Sequence, residues 1–256
     1  MKIAVLIKQV PDTEEDRHLA SNGAVDRAAS DRVADEITER ALEVALKKKD
    51  ADKNVEIVAV TMGPATSTEA LRKALSLGAD SAIHIQDEEL VGSDALTTAR
   101  ALAQALRHAA FDVVIAGNES TDGRGGVVPA MVAEFLGLPF LGPLNSVELN
   151  GGNVVGERQN AEGTQTLSAA LPAVLAITER TGEARFPKFK GIMTAKRKPI
   201  AVHSAAALGL DGLNHSAGNS VLSAAQRPAR SAGTKIVDEG NAAAQLADYL
   251  SAENLI

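Results

Sequence analysis

The sequence predicts an α/β fold: a doubly wound, mostly parallel β-sheet with helices on both faces. Its first half alternates short apolar runs with amphipathic stretches, separated by glycine, proline or a helix-capping residue. Four strand–helix units in succession are typical of a parallel sheet that helices cover on both sides. Ligands of such sheets bind at the carboxyl ends of the strands, near the point where the strand order reverses.

Capping residues set the limits of these units. Ser30 and Ser93 are suited to cap the helices that follow them, Thr66 with Glu69 forms a capping box, and Gly78 suits a helix end. The predicted strands are residues 2–9, 55–62, 82–85 and 111–116, and the predicted helices are residues 31–48, 66–78 and 94–109.

The pattern changes after residue 139. A turn-forming sequence, NGGN, separates two short apolar runs at 147–149 and 154–155, which predicts a β-hairpin. Further strands are predicted at 167–171 and 173–178, and a last helix at 241–250. We therefore expect a nucleotide-binding α/β domain over residues 1–199. Residues 200–256 have little apolar periodicity, which predicts a segment that is either disordered or laid on a partner as an extended arm.

A glycine-rich loop, residues 117–126, follows the fourth strand and precedes an apolar helix. Gly117, Gly123, Gly125 and Gly126 would allow a positive φ and close approach of a ligand. The following helix N-terminus and Arg124 suit a phosphate. The loop matches neither the dinucleotide fingerprint nor the P-loop, and a glycine-rich connection without a ligand is the alternative.

Two more loops leave the same edge of the predicted sheet. They are residues 8–13 and 61–64, and their convergence on the glycine-rich loop favours a nucleotide pocket. Residues 10–30, which we call the polar loop, form a connection of a length that is usually functional or partner-bound.

Composition excludes several classes of function. A net charge of −7 argues against a nucleic-acid binder, and no apolar run is long enough for a transmembrane helix. The absence of cysteine excludes disulfides, iron–sulfur clusters and thiol nucleophiles, and a cytoplasmic location is expected. The apolar start of the chain fits a first strand rather than a signal peptide.

Catalytic and metal-binding patterns are missing as well. The five histidines are isolated from one another, and no serine lies in a nucleophile-elbow pattern. His84 is expected to be a strand histidine with a satisfied hydrogen bond. We therefore predict a carrier or binding subunit rather than an enzyme.

Residues 185–198, which we call the docking segment, carry six cations in an otherwise acidic chain. Phe186, Phe189, Ile192 and Met193 are interleaved with these cations. Apolar groups ringed by charge are typical of a protein docking surface. A basic loop that packs its apolar residues inward is one alternative, and nucleic-acid binding is another.

Four segments together resemble the β subunit of the electron transfer flavoprotein family. They are VLIKQVPDT at 5–13, VAVTMGP at 58–64, the stretch 117–139, and 186–198, and RPARSAG at 227–233 is similar to the family's C-terminal arm. The resemblance runs over nearly the whole chain. It implies the adenine-nucleotide alpha-hydrolase-like form of the doubly wound sheet.

The resemblance also implies cofactors and partners. The family forms a heterodimer whose α subunit holds most of an FAD, while the β subunit binds a structural AMP. It takes electrons from acyl-CoA and other flavin dehydrogenases and passes them to a quinone oxidoreductase. The docking segment would contact the dehydrogenases through Phe186, Lys188, Phe189, Lys190, Ile192 and Met193, with Phe189 as the anchor.

The cofactor-binding residues follow from the matching positions. In the set that the resemblance implies, residues 11–13 would approach the flavin edge, and all the remaining residues would surround the AMP. The full set is Leu6, Pro11, Asp12, Thr13, Arg32, Val33, Ala34, Asp35, Met62, Glu119, Ser120, Thr121, Asp122, Gly123, Arg124, Gly125, Gly126, Val127, Val128, Pro129 and Ala130.

Two departures leave alternatives open. Many members have Asn-Pro-Phe where this chain has Arg32-Val33-Ala34, and the Thr-Gly pair near Val128-Pro129 is missing. A related branch binds a second FAD in this pocket and bifurcates electrons, and the STDGRGG sequence is similar to that branch's Asp-Gly element. A stand-alone adenine-nucleotide sensor or hydrolase is a further alternative, although an SGGxDS-like loop is absent.

Overall fold

The computed structural model describes residues 1–210, 218, 221–225 and 227–256. The strands are β1 (Lys2–Leu6), β2 (Gln9–Pro11), β3 (Arg32–Ala34), β4 (Glu56–Met62), β5 (Ser81–Ile85), β6 (Val113–Gly117), β7 (Phe140–Leu144), β8 (Ser146–Asn150), β9 (Asn153–Asn160), β10 (Gly163–Ala170), β11 (Ala173–Ile177) and β12 (Ile200–His203). The helices are α1 (Glu36–Ala51), α2 (Thr68–Leu77), α3 (Ala95–Ala109), α4 (Val128–Leu136), α5 (Phe189–Ala195) and α6 (Ala242–Ala252).

Seven strands form a parallel central sheet in the order β12-β5-β4-β1-β6-β11-β7. Side chains of β1 alternate between its two faces: Ile3 and Val5 pack on the side of α1 and α2, and Ala4 and Leu6 on the side of α3 and α4. Helices on both faces of a parallel sheet confirm the predicted doubly wound fold.

Three further strands form a small antiparallel sheet in the order β10-β9-β8. Gly151 and Gly152 connect β8 to β9, and both have a positive φ, as the tight turn requires. The predicted hairpin is therefore confirmed. The strand predicted at 167–171 begins earlier, at Gly163, because it pairs along the full length of β9.

The start of the first helix was predicted too early. Residues 32–34 form β3, which pairs antiparallel with β2, and α1 begins only after Asp35. Pairing of Val33 opposite the buried Val10 outweighs helix propensity here, because two β-branched residues face each other across a strand pair. Ser30 is therefore not a helix cap.

Two other predicted caps differ in detail. Asp94, rather than Ser93, caps α3, since its carboxylate accepts a hydrogen bond from the Thr97 amide at 2.8 Å. Thr66 lies in a 3₁₀ turn before α2 and donates to the Gln9 Oε1 at 3.0 Å, so it forms no capping box. The predicted helix end at Gly78 is confirmed, with a φ of 141°.

The predicted boundary after residue 199 falls too early. β12 pairs in parallel with β5, and Ala205, Leu208 and Leu210 are buried in the core beside α3. One compact unit accordingly spans Met1–Val221. Parts of the predicted arm, residues 211–217, 219, 220 and 226, lie outside the described residues.

A second unit spans Leu222–Ile256 and contains α6. Its side chains are almost all exposed, including the apolar Leu246, Tyr249 and Ile256. The predicted last helix is confirmed within this unit. In the described part of the chain, no helix is long and apolar enough to cross a membrane.

Core membership of the residues after 199 can be tested by a pair of substitutions. Leu208→Ala should lower the free energy of unfolding by about 2–4 kcal/mol, because it leaves a cavity in a well-packed core. Leu222→Ala is the matched control and should stay within about 0.5 kcal/mol, since that side chain is 95% exposed. Urea unfolding measures both. Equal effects would contradict the extended core.

Candidate functional site

Three loops meet at one edge of the central sheet. β1 lies between β4 and β6, so the carboxyl ends of these three parallel strands are neighbours. The chain first builds the sheet outward from β1 through β4 and β5, and then returns to β6 on the other side. The strand order therefore reverses at β1, which is where open α/β sheets bind their ligands.

Lys8 connects the first of these loops to the glycine-rich loop. Its Nζ donates to the Ser120 Oγ at 3.0 Å and to the Asp122 Oδ1 at 2.7 Å. Arg27 reaches the same carboxylate from the polar loop, with its Nε and Nη2 at 3.1 and 2.6 Å from the Asp122 Oδ2. Two cations from separate segments thus hold one carboxylate.

The Asp122 side chain is fully buried, while both of its cationic partners are about half exposed. Burial raises the pKa of Asp122, but hydrogen bonds and charge from Lys8, with Ser120 and Arg27, outweigh it and hold that pKa well below its ordinary value of 3.8. Asp122 is therefore ionised at neutral pH, and its charge is neutralised from within the chain.

The polar loop folds back over this carboxylate. The Arg17 Nη1 donates to the Thr121 carbonyl, next to Asp122. Two hydrogen bonds join the start of the polar loop to Asp31, the residue that directly follows it. The Asp12 amide donates to the Asp31 carbonyl at 2.8 Å, and the Asp31 amide donates to the Glu15 Oε2 at 3.0 Å. The predicted functional loop thus contacts the glycine-rich loop directly.

Asp35 supports the glycine-rich loop from the other side. Its Oδ2 accepts hydrogen bonds from the Thr121 amide at 2.8 Å and from the Thr121 Oγ1 at 3.3 Å. The residue is 1% exposed, and burial raises the pKa of Asp35 more than these hydrogen bonds lower it. Asp35 and Asp122 therefore have opposite pKa shifts within one loop assembly.

The backbone of the glycine-rich loop differs from the expectation. Of its four glycines, Gly126 has a positive φ, 65°, while Gly117, Gly123 and Gly125 do not. Arg124 takes the left-handed conformation instead, with a φ of 49°. Gly117 is required for another reason: a Cβ there would lie 2.6 Å from the Ile37 side chain of α1.

The end of the glycine-rich loop has the properties of a phosphate site. It leads into α4, whose first turn holds no acidic residue and whose N-cap residue, Val127, makes no side-chain cap. The first N–H groups of a helix have no intrahelical partner and point a positive dipole end outward. A Cβ on Gly125 would meet no described atom within 4 Å, so the space beside it is open to a ligand.

Arg124 is less available than predicted. Its Nη2 lies 3.1 Å from the Glu119 Oε1, although its side chain remains 75% exposed. The Glu119 carboxylate partly offsets its positive charge, so the helix N-terminus is the principal feature of this site that favours an anion.

The structure brings most predicted nucleotide residues together. Residues 119–126 lie in the glycine-rich loop, and 127–130 cap and open α4. Residues 32–34 pair antiparallel with β2, and Asp35 follows them. Leu6 and Met62 end β1 and β4 on the face of the sheet that packs against α3 and α4, and Leu6 is buried there. Among the residues expected near the flavin, Pro11 is buried, Asp12 is half-buried and Thr13 is exposed.

The third loop, after β4, is held by side chains of the other elements. The Gln9 Nε2 donates to the Thr66 carbonyl at 2.9 Å. His84 is fully buried, with its Nε2 3.0 Å from the Gly63 carbonyl and its Nδ1 3.3 Å from the Thr68 Oγ1. The expectation of a satisfied strand histidine is confirmed.

The docking segment lies on a different part of the surface, where α5 packs against α2. Phe186 and Phe189 are 91% and 78% exposed, and Ile192 and Met193 are about half exposed. The alternative in which these apolar side chains pack inward is therefore wrong. The described residues contain no cluster of three or more His, Cys, Asp or Glu side chains suited to a metal ion.

Lys8 and Arg27 are important residues that the predicted site omits. Their partner Asp122 lies 114 and 95 positions away along the chain, so local sequence patterns carry no trace of the pairing. The sequence places Lys8 in a loop at the correct edge of the sheet, but Arg27 lies in the polar loop without any distinguishing motif.

The opposite pKa shifts predict opposite effects of two isosteric substitutions. Because the folded pKa of Asp122 is depressed, its contribution is present above about pH 4 and is lost as pH falls further. Asp122→Asn should therefore lower the free energy of unfolding at pH 7, by about 1–2 kcal/mol after allowing for solvent screening of its half-exposed partners. The difference in the free energy of unfolding between this variant and the parent should shrink below pH 4.

Asp35→Asn is the matched control for that measurement. The raised folded pKa of Asp35 means that its ionised form opposes folding at neutral pH, and this penalty disappears as pH falls toward 3.8. The variant should be at least as stable as the parent at pH 7, with the advantage lost in acid. Urea unfolding from pH 3 to 7 measures both, and parallel curves for the two variants would contradict the assignment.

Comparison with known proteins agrees with this geometry. Residues 22–208 match the family model described as the electron transfer flavoprotein domain. The chain is 48% identical to electron transfer flavoprotein subunit beta of Mycobacterium tuberculosis strain H37Rv, over 99% of both chains. It is 36% identical to the Megasphaera elsdenii subunit beta, over 82% of this chain and 81% of the relative.

A further relative carries a different name. The caffeyl-CoA reductase-Etf complex subunit CarD of Acetobacterium woodii is 30% identical, over 84% of both chains. The match to the family model covers most of the chain, and the mycobacterial relative matches almost end to end. The chain therefore belongs to the β-subunit family of electron transfer flavoproteins, and its function is electron transfer.

Proposed function

We propose that the chain is the β subunit of a cytoplasmic heterodimeric electron transfer flavoprotein. The heterodimer accepts electrons from acyl-CoA and other flavin dehydrogenases and passes them to a quinone oxidoreductase. One observation carries this proposal: four exposed apolar side chains and four exposed cations share the docking segment of a chain with net charge −7. Such a patch on an acidic protein is suited to bind a protein partner.

The glycine-rich loop is proposed to bind AMP. Support comes from the helix N-terminus of α4, from the open space beside Gly125, and from the neutralisation of Asp122 by Lys8 and Arg27. Without that neutralisation, a buried carboxylate near the loop would repel a phosphate. We propose that the AMP phosphate lies toward residues 123–126.

The FAD is proposed to lie mainly in the α subunit, with residues 11–13 of this chain near its edge. The flavin supplies the redox chemistry. The contribution of this chain is positional: β2 holds the buried Pro11 against β3, and Thr13 remains exposed in the turn that follows.

The unit Leu222–Ile256 is proposed to lie on the α subunit as an arm. Leu222, Leu246, Tyr249, Leu255 and Ile256 are all more than half exposed. This many exposed apolar groups in 35 residues cannot form a separate core and require a covering surface.

Partner enzymes that act on CoA thioesters fit the proposal. One relative is named as a subunit of a complex with caffeyl-CoA reductase. The docking segment supplies an apolar contact from Phe186 and Phe189 and steering charges from Lys188 and Lys190, the combination that favours rapid and reversible association.

Nucleotide retention tests the pocket. Gly125→Val should block the approach of a ligand to the loop without a clash inside the chain, since its Cβ meets no described atom. After co-expression with the α-subunit gene, acid release and chromatography should then find the adenine nucleotide lost. Thr164→Val, an exposed strand position on β10 outside the proposed arm, is the control and should retain it.

The same chromatogram separates the possible ligands. One AMP and one FAD per heterodimer support the proposal, whereas two FAD identify the bifurcating alternative. A colourless chain that purifies alone with a nucleotide would favour the sensor or hydrolase. Normal nucleotide content in Gly125→Val would overturn the loop assignment.

Docking is tested by separating the apolar contact from the charges. Phe189→Ala should weaken the affinity for a cognate dehydrogenase by about 1–3 kcal/mol, mainly through faster dissociation. Neutralising Lys188 and Lys190 should instead lower the association rate, with an effect that shrinks as salt rises. Flavin reduction by the dehydrogenase measures both, and the flavin spectrum should not change. An unaltered rate and affinity in Phe189→Ala would exclude this surface.

A further inference from the structure

The docking segment contains only one short helix. α5 has seven residues, and a helix of that length is not stable in water by itself. Its geometry must therefore come from contacts with the rest of the unit. These contacts occur at three places: before the helix, in its middle and after its end.

The first contact is made by Arg185. Its Nε and Nη2 donate to the two carboxylate oxygens of Glu43 at 2.7 and 2.8 Å, and the Arg185 amide donates to the Glu43 Oε2 at 3.2 Å. The Nη2 also lies 2.8 Å from the Asp50 Oδ2. This forked contact fixes the backbone directly before Phe186 to α1.

The second contact is a close approach of two backbones. Gly191 lies in the first turn of α5, over the C-terminal part of α2. A Cβ at this position would lie 2.3 Å from the Ser76 carbonyl oxygen, a distance that side chains do not tolerate. The absence of a side chain at Gly191 thus allows α5 to pack on α2.

The third contact closes the end of the segment. The Arg72 Nη1 of α2 donates to the Ala195 and Lys198 carbonyls at 2.7 and 2.9 Å. The Lys198 Nζ returns to α2 and donates to the Leu75 carbonyl at 2.9 Å and to the Ala79 carbonyl. Side chains on each side of the contact thus donate to carbonyl groups at or just beyond the end of the other helix.

These contacts divide the cations of the docking segment into two sets. Arg185 and Lys198 face inward and hold the segment, while Lys188, Lys190, Lys196 and Arg197 are exposed. The apolar side chains Phe186 and Phe189 are exposed between the fixed points. The segment is therefore held at both ends and in the middle, with its binding groups outside.

We propose that Arg185 and Gly191 are positioning residues for partner docking, which hold the docking segment in its binding conformation before the partner arrives. The inference rests on the proposed docking function. It adds that the segment acts as a rigid platform rather than a loop that orders on contact. A surface ordered in advance loses less conformational entropy on binding, so more of the contact energy appears as affinity.

Two substitutions test the proposal in the intact heterodimer. Arg185→Lys keeps the positive charge but cannot form the fork to Glu43 and Asp50. Gly191→Ala places a Cβ against the Ser76 carbonyl, although alanine favours helices more than glycine does. Each should weaken dehydrogenase affinity about 5- to 30-fold, with flavin and nucleotide content unchanged. Arg180→Lys, an exposed arginine hydrogen-bonded to Gln159, is the matched control and should have no effect.

A double substitution separates positioning from a general loss of stability. If Arg185 acts through Phe189, then Arg185→Lys should weaken binding much less in a Phe189→Ala background than in the parent. Additive losses would overturn the proposal. If Phe189→Ala weakens dehydrogenase affinity but neither Arg185→Lys nor Gly191→Ala does, the positioning role would be excluded, while the docking function would remain supported. No effect of Phe189→Ala would remove the docking function itself.

Hydrogen exchange supplies a measurement that does not depend on partner binding. The Ile192 amide donates to the Lys188 carbonyl at 3.1 Å, and the Lys198 amide donates to the Ala195 carbonyl at 3.2 Å. In the free heterodimer, peptides covering 185–198 should be protected, and Arg185→Lys should raise their exchange at least tenfold. Complete exchange of the parent segment within seconds, without a partner, would overturn the proposal.

Discussion

The geometry of the sheet edge where the three loops meet depends on one buried carboxylate, that of Asp122. Removal of a carboxylate from water costs several kcal/mol unless cations and hydrogen bonds replace the solvent. Lys8 and Arg27 provide that replacement, and each belongs to a different segment. The requirement to neutralise Asp122 therefore fixes the path after β1, the position of the polar loop and the shape of the glycine-rich loop together.

The fold class was predictable because it depends on local patterns. Apolar runs such as that of β1 are buried on both faces, and their alternation with helices determines a parallel sheet. The predicted element boundaries were wrong where pairing with a strand distant in sequence determined the structure. Residues 32–34 became a strand because β2 offers a partner, and β12 joined the sheet because β5 had a free edge. Neither pairing leaves a pattern in the neighbouring sequence.

The candidate site was predictable in position but not in detail. Three loops at one edge follow from the order of elements, whereas the pairing of Arg27 with Asp122 joins residues 95 positions apart. The glycine content likewise predicts a tight loop, but it does not predict which residue takes the left-handed backbone conformation. Arg124 takes the left-handed conformation, and its amide donates to the Ser120 carbonyl at 3.0 Å. That hydrogen bond is part of the loop geometry, which composition alone does not specify.

The docking segment shows why net charge is a poor guide to association. The chain carries −7 overall, yet charges separated by more than about 8 Å are largely screened at physiological salt. The electrostatic attraction on an approaching partner therefore comes from the local cations, and only from those that are not engaged in contacts within the chain. Arg185 and Lys198 are engaged in such internal contacts. Electrostatic steering of a partner is therefore expected from exposed cations such as Lys188 and Lys190. The same segment thus uses some of its positive charges to fix its shape, and the proposed docking function assigns the remainder to attracting a partner.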